Sequence, residues 1–329
     1  MIEAGTRGIY VAIVLFNGWS VDHPKGSFAL DNPWNGHPYN PANNVNGING
    51  DPNGDQSGSE IHSLSIPAIT ALQEEYVKKV VDTVNDLDNV LYEISNESHE
   101  NSQDWQYAMI NHLKSYEATN KPKQHPVGMT AEWPNGADSD LFNSPADWIS
   151  PNNSTNDYLD NPPAAIANKV ILSDTDHLCG VCGDRAWVWK SFTRGINPIF
   201  MDVYDGAAIG FGANGFTPND PVFVDIRKQM GYALTYANRT NLAAMSPQPS
   251  LCETGHCLAR NGTSGAEFLV YQPGSGAFTV DLTAVAGSLI VEWFDPRLGQ
   301  AQSGSPVAGG LVRLFTPPFD GDAVLYLHQ

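Results

Sequence analysis

The sequence predicts an α/β domain built on a parallel sheet, followed by a small antiparallel β-sandwich. Through the first 250 residues, short apolar runs alternate with segments of helical periodicity, a pattern typical of parallel strands covered by helices on both faces. After Ser250 no helical periodicity survives, and short alternating strands separated by glycine and proline turns take over. We therefore predict two domains, residues 1–250 and residues 251–329.

Each predicted strand of the first domain is an apolar run too short to span a membrane. The longest, Gly8–Phe16, reads GIYVAIVLF and has the length of a buried strand. Helical periodicity places two amphipathic helices at Ile66–Leu87 and Gln103–Ala118. The other strands predicted here are Asn89–Ile94, Pro126–Ala131, Asp147–Ile149, Lys169–Leu172 and Asn197–Met201. Those predicted in the second domain are Glu267–Tyr271, Ala277–Leu282, Ser288–Phe294, Gly310–Phe315 and Ala323–Leu327.

The composition excludes several classes of function. The 329 residues include 17 basic and 36 acidic side chains, which gives a formal net charge of −19. Nucleic acids and anionic membrane surfaces both require clustered lysine and arginine, so neither is expected as a partner. Charged residues make up 16% of the chain and hydrophobic residues 41%, a balance that excludes disorder. The first seven residues lack the lysine cluster and the cleavage site of a signal peptide.

The four cysteines form two close pairs, Cys179 with Cys182 and Cys252 with Cys257. A zinc site assembled from both pairs is conceivable, because four thiolates satisfy tetrahedral zinc. The C-x2-C pair has neither a second C-x2-C nor flanking basic residues, however. The spacing therefore favours two buried thiol pairs or one local disulfide.

A long polar loop, Asn32–Ser63, separates the first strand from its helix, and loops of this length in compact domains are usually functional. Asp51, Asn53 and Asp55 place oxygen atoms at alternate positions, as calcium-binding loops do. The match to an EF-hand fails at positions six and twelve of the motif. The loop therefore has two interpretations, a calcium site and a surface loop built from Asx-turns.

Polar residues follow the predicted strands, where α/β folds place their sites. Asn96 and Glu97 end one strand, and Asp174 and Asp176 follow another. A carboxyl group kept protonated by burial is a general acid, and two carboxyl groups across one pocket are what glycosidic cleavage requires. The alternative is structural: Glu97 would cap the next helix, and the aspartates would cap a helix or pair with Arg185 or Arg194.

Aromatic side chains in the same strand-end loops point to a carbohydrate ligand, because sugars stack on flat aromatic faces. Together with neighbouring polar groups, they define the predicted substrate-binding residues: Asn96, Trp19, Trp133, His177, Asp202 and Tyr204.

Several segments together resemble a bacterial family of barrel glycoside hydrolases, in the clan that places an Asn-Glu pair at the end of strand four. These segments read GIYVAIVLFNGW, NVLYEISNES, HPVGMTAEWP, KVILSDTDH and RGINPIFMD. The C-terminal stretch, with VEWFDPRLG and PPFDGDAVLYL, resembles the small β-domain that follows such barrels and carries a collagen-binding label. The resemblance covers nearly the whole chain and implies secretion or a periplasmic location.

The resemblance implies a role for each matching residue. Glu97 takes the acid/base role, and Asn96 contacts the sugar 2-hydroxyl. KVILSD matches strand seven, where the clan keeps its nucleophile, so Asp174 is favoured over Asp176 as the second carboxylate. The clan has glutamate there, and aspartate is one methylene shorter, which would widen the gap between the two carboxyl groups toward inverting geometry. Retaining and inverting mechanisms both stay open.

The resemblance also implies a TIM-type (β/α)8 barrel that lacks its first two βα units. GIYVAIVLF matches strand three, and seven residues before it cannot hold two further units. Such a barrel has open edges that expose backbone donors and apolar faces. We therefore expect that a neighbouring chain of a homo-oligomer or rearranged loops cover these edges, and we favour the homo-oligomer.

Three functions fit these observations. The first is a glycoside hydrolase that needs no cofactor and acts on a polysaccharide or oligosaccharide. The second is a carbohydrate-binding protein whose catalysis is weak or lost because of the missing units. The third is a metal-dependent hydrolase that uses the D-x-D-H cluster of Asp174, Asp176 and His177 together with Asp202.

Overall fold

The computed structural model describes residues 1–21, 32–166, 168–202 and 217–329. The chain divides into two compact units, residues 1–155 and residues 156–329. The predicted boundary at 250/251 falls inside the second unit. Among the described helices, none is long and apolar enough to cross a membrane.

The first unit is a parallel sheet of four strands in the order β1-β2-β3-β4, with helices between them. Val11 pairs with Val90, Tyr92 with Val127, and Gly128 with Trp148, so the carboxyl ends of neighbouring strands share one edge. The predicted strands and both predicted helices are present within a few residues of their expected bounds. The elements are α1 (Ile2–Thr6), β1 (Val11–Asn17), α2 (Pro67–Val84), β2 (Val90–Asn96), α3 (Gln103–Asn120), β3 (Val127–Thr130), α4 (Asp138–Asn143) and β4 (Trp148–Ser150).

The two long helices bury one apolar stripe each. Pro67 begins α2, where a fixed φ suits the first helical turn. The helix α3 packs against α2, β2 and β3. The buried apolar side chains of these two helices are Ile69, Val77, Val81, Val84, Trp105, Met109, Ile110 and Leu113.

Strand β1 is less buried than its apolar sequence predicts. Leu15 is its one buried residue, and Val14 is 46% exposed. Just before the strand, Ile9 and Tyr10 are 52% and 64% exposed. The physical reason is position, because among the described strands β1 pairs only with β2 and so lies at the edge of the sheet.

The long loop is a packed substructure with its own small core. Trp34 and Ile61 from the loop bury their side chains against Val21 and Ile69. Asparagine side chains satisfy much of its backbone: Asn40 Nδ2 donates to the carbonyl of Trp34, and further bonds come from Asn43 and Asn44. The hydrogen-bonding pattern is that of the Asx-turn-rich loop.

The second unit begins with two further parallel strands, so the described chain has six in all, four in the first unit and two in the second. Leu172 of β5 pairs with Asn197 of β6. The elements of this part are β5 (Val170–Asp174), α5 (Thr175–Leu178), α6 (Arg185–Thr193), β6 (Asn197–Ile199) and α7 (Pro221–Arg239).

The predicted antiparallel β-sandwich follows. A six-stranded sheet in the order β12-β11-β14-β9-β8-β7 faces a two-stranded sheet of β10 and β13, and Phe268, Trp293, Phe278 and Phe315 share the core between them. Strands β7, β8 and β12 were not predicted from the sequence. Strand β12 gives no apolar signal, because it is a polar, exposed strand at the edge of the sheet. The strands are β7 (Ser246–Pro247), β8 (Cys257–Arg260), β9 (Glu267–Gln272), β10 (Phe278–Asp281), β11 (Ser288–Asp295), β12 (Gln300–Ala308), β13 (Val312–Phe315) and β14 (Ala323–His328).

The other face of the large sheet packs on α6 and α7. Trp189 of α6 contacts Tyr271 and Phe294 of the sheet, with ring centroids 6.3 and 5.9 Å apart. The Trp189 indole donates to Gln229 Oε1 at 2.9 Å, and Gln229 Nε2 donates to the carbonyl of Pro296 at 2.8 Å. The β-sandwich and the two helices therefore share one hydrophobic core.

Each cysteine pair is bonded within itself. Cys179 is joined to Cys182, and Cys252 to Cys257. The disfavoured zinc site is therefore not formed by these thiols, and two local disulfides stand where we expected either two buried thiol pairs or one local disulfide. Cys179 is exposed rather than buried, whereas the second pair lies in the sandwich core.

Candidate active site

The carboxyl end of β2 delivers Asn96 and Glu97 to the edge of the sheet. Glu97 is 9% exposed and has a φ of +48°, in the left-handed region. This conformation is uncommon for residues other than glycine, and it persists only where the surroundings fix it. Such positions cluster at functional sites, which makes Glu97 the most distinctive residue of this edge.

The turn at Glu97 lies directly against the end of β1. Asn17 pairs with Asn96, and Gly18 follows. A Cβ atom on Gly18 would lie 2.3 Å from the Cα of Ser98 and 2.5 Å from the carbonyl oxygen of Glu97. Only glycine fits this approach, so Gly18 is a position that sequence reasoning passed over.

Trp19 and Trp133 meet beside this turn. Their ring centroids are 5.6 Å apart and the planes lie at 74°. The backbone N–H of Trp133 donates to the carbonyl of Ser98 at 3.0 Å, which ties the end of β3 to the residue after Glu97. The structure thus brings Trp19, Asn96, Glu97 and Trp133 together at the carboxyl ends of β1, β2 and β3.

Glu132, next to Trp133, is a second acidic residue of this edge that the sequence analysis did not select. It is 1% exposed, and among the described residues neither of its carboxylate oxygens has a hydrogen-bond partner. Burial raises the pKa of Glu132 to about 7, and the charge of Asp140 adds to the rise, while its own backbone opposes it. A carboxyl group with this pKa can hold or release a proton near neutral pH. The only sequence signal was its place after an apolar strand.

In the second unit, Asp174 ends β5 and caps α5. Its carboxylate accepts the backbone N–H of Asp176 at 3.0 Å, which is the capping role foreseen as the structural alternative. Burial raises the pKa of Asp174, and nearby His177 opposes the rise. Burial lowers the pKa of His177, opposed by the two aspartates. Asp176 itself is exposed.

Arg185 bonds elsewhere than expected. Its guanidinium contacts Asp225 at 3.0 Å and Asp322 at 3.1 Å, instead of serving as the foreseen structural partner of Asp174 or Asp176. This pairing fixes the start of α6 to α7 and to the β-sandwich.

The last predicted binding residues are Asp202 and Tyr204. Asp202 is exposed and forms an ion pair with Arg227 at 2.7 Å. Tyr204 lies outside the described residues. Among the described residues, one set of carboxylates has oxygens close enough to share a metal ion, and it is not the D-x-D-H cluster with Asp202. The metal-dependent hydrolase is therefore not favoured.

That set lies in the long loop and consists of Asp51, Asp55 and Glu60, whose oxygens lie within 4.8 Å of one another. Asn53, the predicted third ligand, instead donates to Asp55 Oδ2 at 3.0 Å. The Asp51 carboxylate accepts backbone N–H groups of Gly54, Asp55 and Gln56, as an Asx-turn requires.

Comparison with known proteins agrees with this architecture. Residues 250–328 match the family described as "Putative collagen-binding domain of a collagenase". The chain is similar to a solved glycoside hydrolase, with a TM-score of 0.55, 13% identity, and coverage of 79% of this chain and 69% of that one. It is also similar to a glycoside hydrolase family 5 structure from Bacteroides vulgatus, with a TM-score of 0.62, 14% identity, and coverage of 100% and 73%. A comparison with curated proteins found no significant match.

At these identities the similarity shows the fold. The chain has the α/β fold of TIM-barrel glycoside hydrolases, followed by antiparallel sheets at its C-terminus. Its parallel strands and strand-end loops are the framework on which such enzymes place their catalytic carboxylates.

Proposed function

We propose that this protein is a glycoside hydrolase in which Glu97 is the general acid/base. The observation that carries the proposal is a buried glutamate in a left-handed conformation at a strand end of a glycoside hydrolase-like fold. A protonated Glu97 would donate its proton to the glycosidic oxygen as the bond breaks. The resulting carboxylate would then take a proton from water.

The second carboxylate of the proposal is Asp174, with Asp176 as the competing candidate. Asp174 ends a parallel strand and is the less exposed of the two. Burial raises the pKa of Asp174, and the nearby His177 opposes that rise. In this proposal the ionised form of Asp174 attacks the anomeric carbon or activates water.

The substrate-binding part of the proposal rests on Trp19 and Trp133. Both are partly exposed, so each offers ring surface to a sugar. Asn96 would bond the sugar 2-hydroxyl, as the family resemblance implies. His177, Asp202 and Tyr204 remain proposed contacts to the rest of the substrate.

A screen of aryl glycosides with the wild type, Glu97→Gln and Glu100→Gln tests the acid/base role. Glu100 is exposed and three residues away, which makes it the matched control. We expect Glu97→Gln to lose activity by about 10²–10⁴-fold, because general acid–base catalysis contributes that much. Equal rates for the wild type and Glu97→Gln would remove Glu97 from the mechanism. Asp174→Asn and Asp176→Asn, assayed in parallel, decide between the two aspartates.

The alternative is a carbohydrate-binding protein with weak or lost catalysis. Isothermal titration of the wild type with oligosaccharides separates the two functions. Binding without turnover of any glycoside would favour the alternative, whereas turnover that depends on Glu97 would exclude it.

We further propose that a second copy of the chain covers the exposed edge of β1. The support is that Val14 of β1 and the two residues before the strand, Ile9 and Tyr10, are each at least 46% exposed. Among the described residues β1 pairs on one side only. Sedimentation should show a dimer or larger oligomer, and Val14→Lys should shift it toward monomer. A wild-type monomer at micromolar concentration would refute this arrangement.

A further inference from the structure

The turn after β2 is fixed by a buried chain of hydroxyl and imidazole groups. Ser98, directly after Glu97, has its Oγ 2.5 Å from Ser95 Oγ and 3.0 Å from Nδ1 of His62. Ser95 and Ser98 are each 1% exposed, and His62 is 2% exposed. The chain therefore connects Ser98 to the long loop, 36 residues earlier in the sequence.

The His62 ring is itself fixed from its other side. It stacks on Trp105 with ring centroids 4.3 Å apart and planes at 18°. The Trp105 indole donates to Gln73 Oε1 at 2.9 Å, and Gln73 Nε2 donates to the carbonyl of Ile61 at 2.8 Å. Helices α2 and α3 thus hold the residue that contacts Ser98.

A second contact joins the short turn Ser59–His62 of the long loop to His99, the residue after Ser98. Nε2 of His99 lies 2.7 Å from the carbonyl oxygen of Ser59. The backbone N–H of Asn101 donates to Nδ1 of His99 at 3.2 Å. Nδ1 therefore accepts and Nε2 donates, so both bonds are satisfied by one neutral imidazole. The two residues after Glu97 are both held by the loop.

The left-handed conformation of Glu97 costs free energy that its surroundings must offset. Ser98 is held through its side chain by His62 and through its carbonyl by the Trp133 N–H. The backbone of Gly18 lies directly against Glu97 and Ser98, so the turn has no space to move in that direction. We propose that His62 is a positioning residue, which acts through Ser98 to keep Glu97 left-handed and so to orient its carboxyl group. This inference rests on the proposed catalytic role of Glu97.

Two substitutions of His62 separate its hydrogen bond from its stacking. His62→Phe keeps a ring against Trp105 and removes Nδ1, whereas His62→Asn keeps an amide near the position of Nδ1 and removes the stacked ring. We expect His62→Phe to lower kcat about 10- to 100-fold with KM within about twofold, because small misplacements of a catalytic group cost this much. We expect His62→Asn to recover most of the lost kcat despite a lower Tm. Activity that follows Tm instead would overturn the inference.

The matched control is His37→Phe. His37 is in the same loop, stacks on Trp34 at 5.0 Å and accepts the Tyr39 N–H at 3.1 Å through Nδ1, so it has the same pair of interactions without the contact to Ser98. Its variant should retain the wild-type kcat. Ser98→Ala provides a second variant if His62→Phe does not fold, and it should show the same fall in kcat.

A crystal structure of His62→Phe, or of Ser98→Ala, makes the test independent of activity. We expect the φ of Glu97 to leave the left-handed region. A retained positive φ would overturn the positioning role. If the wild type hydrolyses no glycoside, the proposed function fails, and the φ of Glu97 in the variant still decides whether His62 holds this turn.

Discussion

Nδ1 of His125 lies 2.8 Å from Oε1 of Glu117, with both side chains buried. Nε2 of His125 lies 2.8 Å from the carbonyl oxygen of Leu87. The Glu117 carboxylate also accepts the backbone N–H of His125 at 2.8 Å and the side-chain amide of Asn85 at 2.9 Å. This network joins α3 to the segments that lead into β2 and β3. It therefore fixes the ends of these strands opposite the candidate site.

Replacing His125 should destabilise the fold strongly. His125→Phe keeps a ring of similar size but removes the imidazole contacts to Glu117 and to the carbonyl of Leu87. Leaving a buried hydrogen-bonding group unsatisfied costs about 1–3 kcal/mol. Urea unfolding measures this change. Lys78→Ala, which removes a surface pair with Glu75, should alter stability little. A similar effect of the two substitutions would contradict the structural role of the buried network.

Gly18→Ala should destabilise the protein and lower its activity together. The new Cβ would overlap backbone atoms of Glu97 and Ser98, which cannot move as a flexible side chain can. Overpacking of this kind costs about 1–3 kcal/mol. Gly36→Ala is the control, because nothing lies within 4 Å of a Cβ there. Thermal unfolding and the glycosidase assay test both effects, and unchanged values for Gly18→Ala would show that the close approach is not needed.

The stability of the protein should depend on pH through Glu132. Burial raises its pKa from 4.5 to about 7, so the folded state disfavours the ionised form. The contribution of Glu132 to the unfolding free energy is fully present below about pH 4.5 and is lost as the pH rises to about 7. Above about pH 7 the unfolding free energy no longer changes through this group. The total change is roughly 3 kcal/mol, from about 1.36 kcal/mol per unit of pKa.

Unfolding free energies of the wild type and Glu132→Gln between pH 4 and 8 test this dependence. The difference in unfolding free energy between the wild type and Glu132→Gln should change across that pH range. The curve of Glu100→Gln should run parallel to that of the wild type, because Glu100 is exposed. Parallel curves for all three proteins would show that Glu132 does not titrate as its burial predicts.

Phe294→Ala should show that the β-sandwich and the helices α6 and α7 unfold together. Phe294 is 6% exposed, and its ring lies 5.1 Å from Tyr232, 5.6 Å from Tyr236 and 5.9 Å from Trp189. Removing it should cost about 3–5 kcal/mol. Leu298→Ala, at 65% exposure, should cost less than about 0.5 kcal/mol. Two separate unfolding transitions, one unaffected by Phe294→Ala, would contradict the shared core.

Thermal unfolding with and without calcium decides between the two interpretations of the long loop. If Asp51, Asp55 and Glu60 bind calcium, free calcium at 100 times its Kd should stabilise the protein by about 2.7 kcal/mol. Glu60→Gln should weaken this gain without touching the turn that Asp51 caps. Equal Tm values in calcium and in EGTA would leave the loop as an Asx-turn structure alone.

The positions of the strands could be predicted because their signal is local. The runs around Val90–Asn96 and Val170–Asp174 are apolar over consecutive residues, and the stripe of α2 repeats every three or four positions. Such periodicities reflect which face of an element is buried, whatever element covers it. Strand ends then indicated Glu97 and Asp174 as candidates, because parallel strands present their carboxyl ends at one edge.

The sequence could not predict which partners each residue meets. The exposure of β1 depends on which strands pair with it, and the polar strand β12 forms because β11 offers it an edge. His62 and Ser98 lie far apart along the chain, and no local pattern records their contact. The same is true of the helices α6 and α7, whose apolar faces fit a sheet that the sequence analysis assigned to another domain.

The amino-acid sequence by itself determined the α/β class, the order of the strands, the C-terminal β-sandwich and the acidic residues at the strand ends. The tertiary structure alone decided that Glu97 is left-handed, that Glu132 is buried without a hydrogen-bond partner among the described residues, and that each cysteine pair bonds within itself. Secondary structure follows from short-range periodicity, whereas backbone strain, desolvation and bonding depend on groups that only folding brings together.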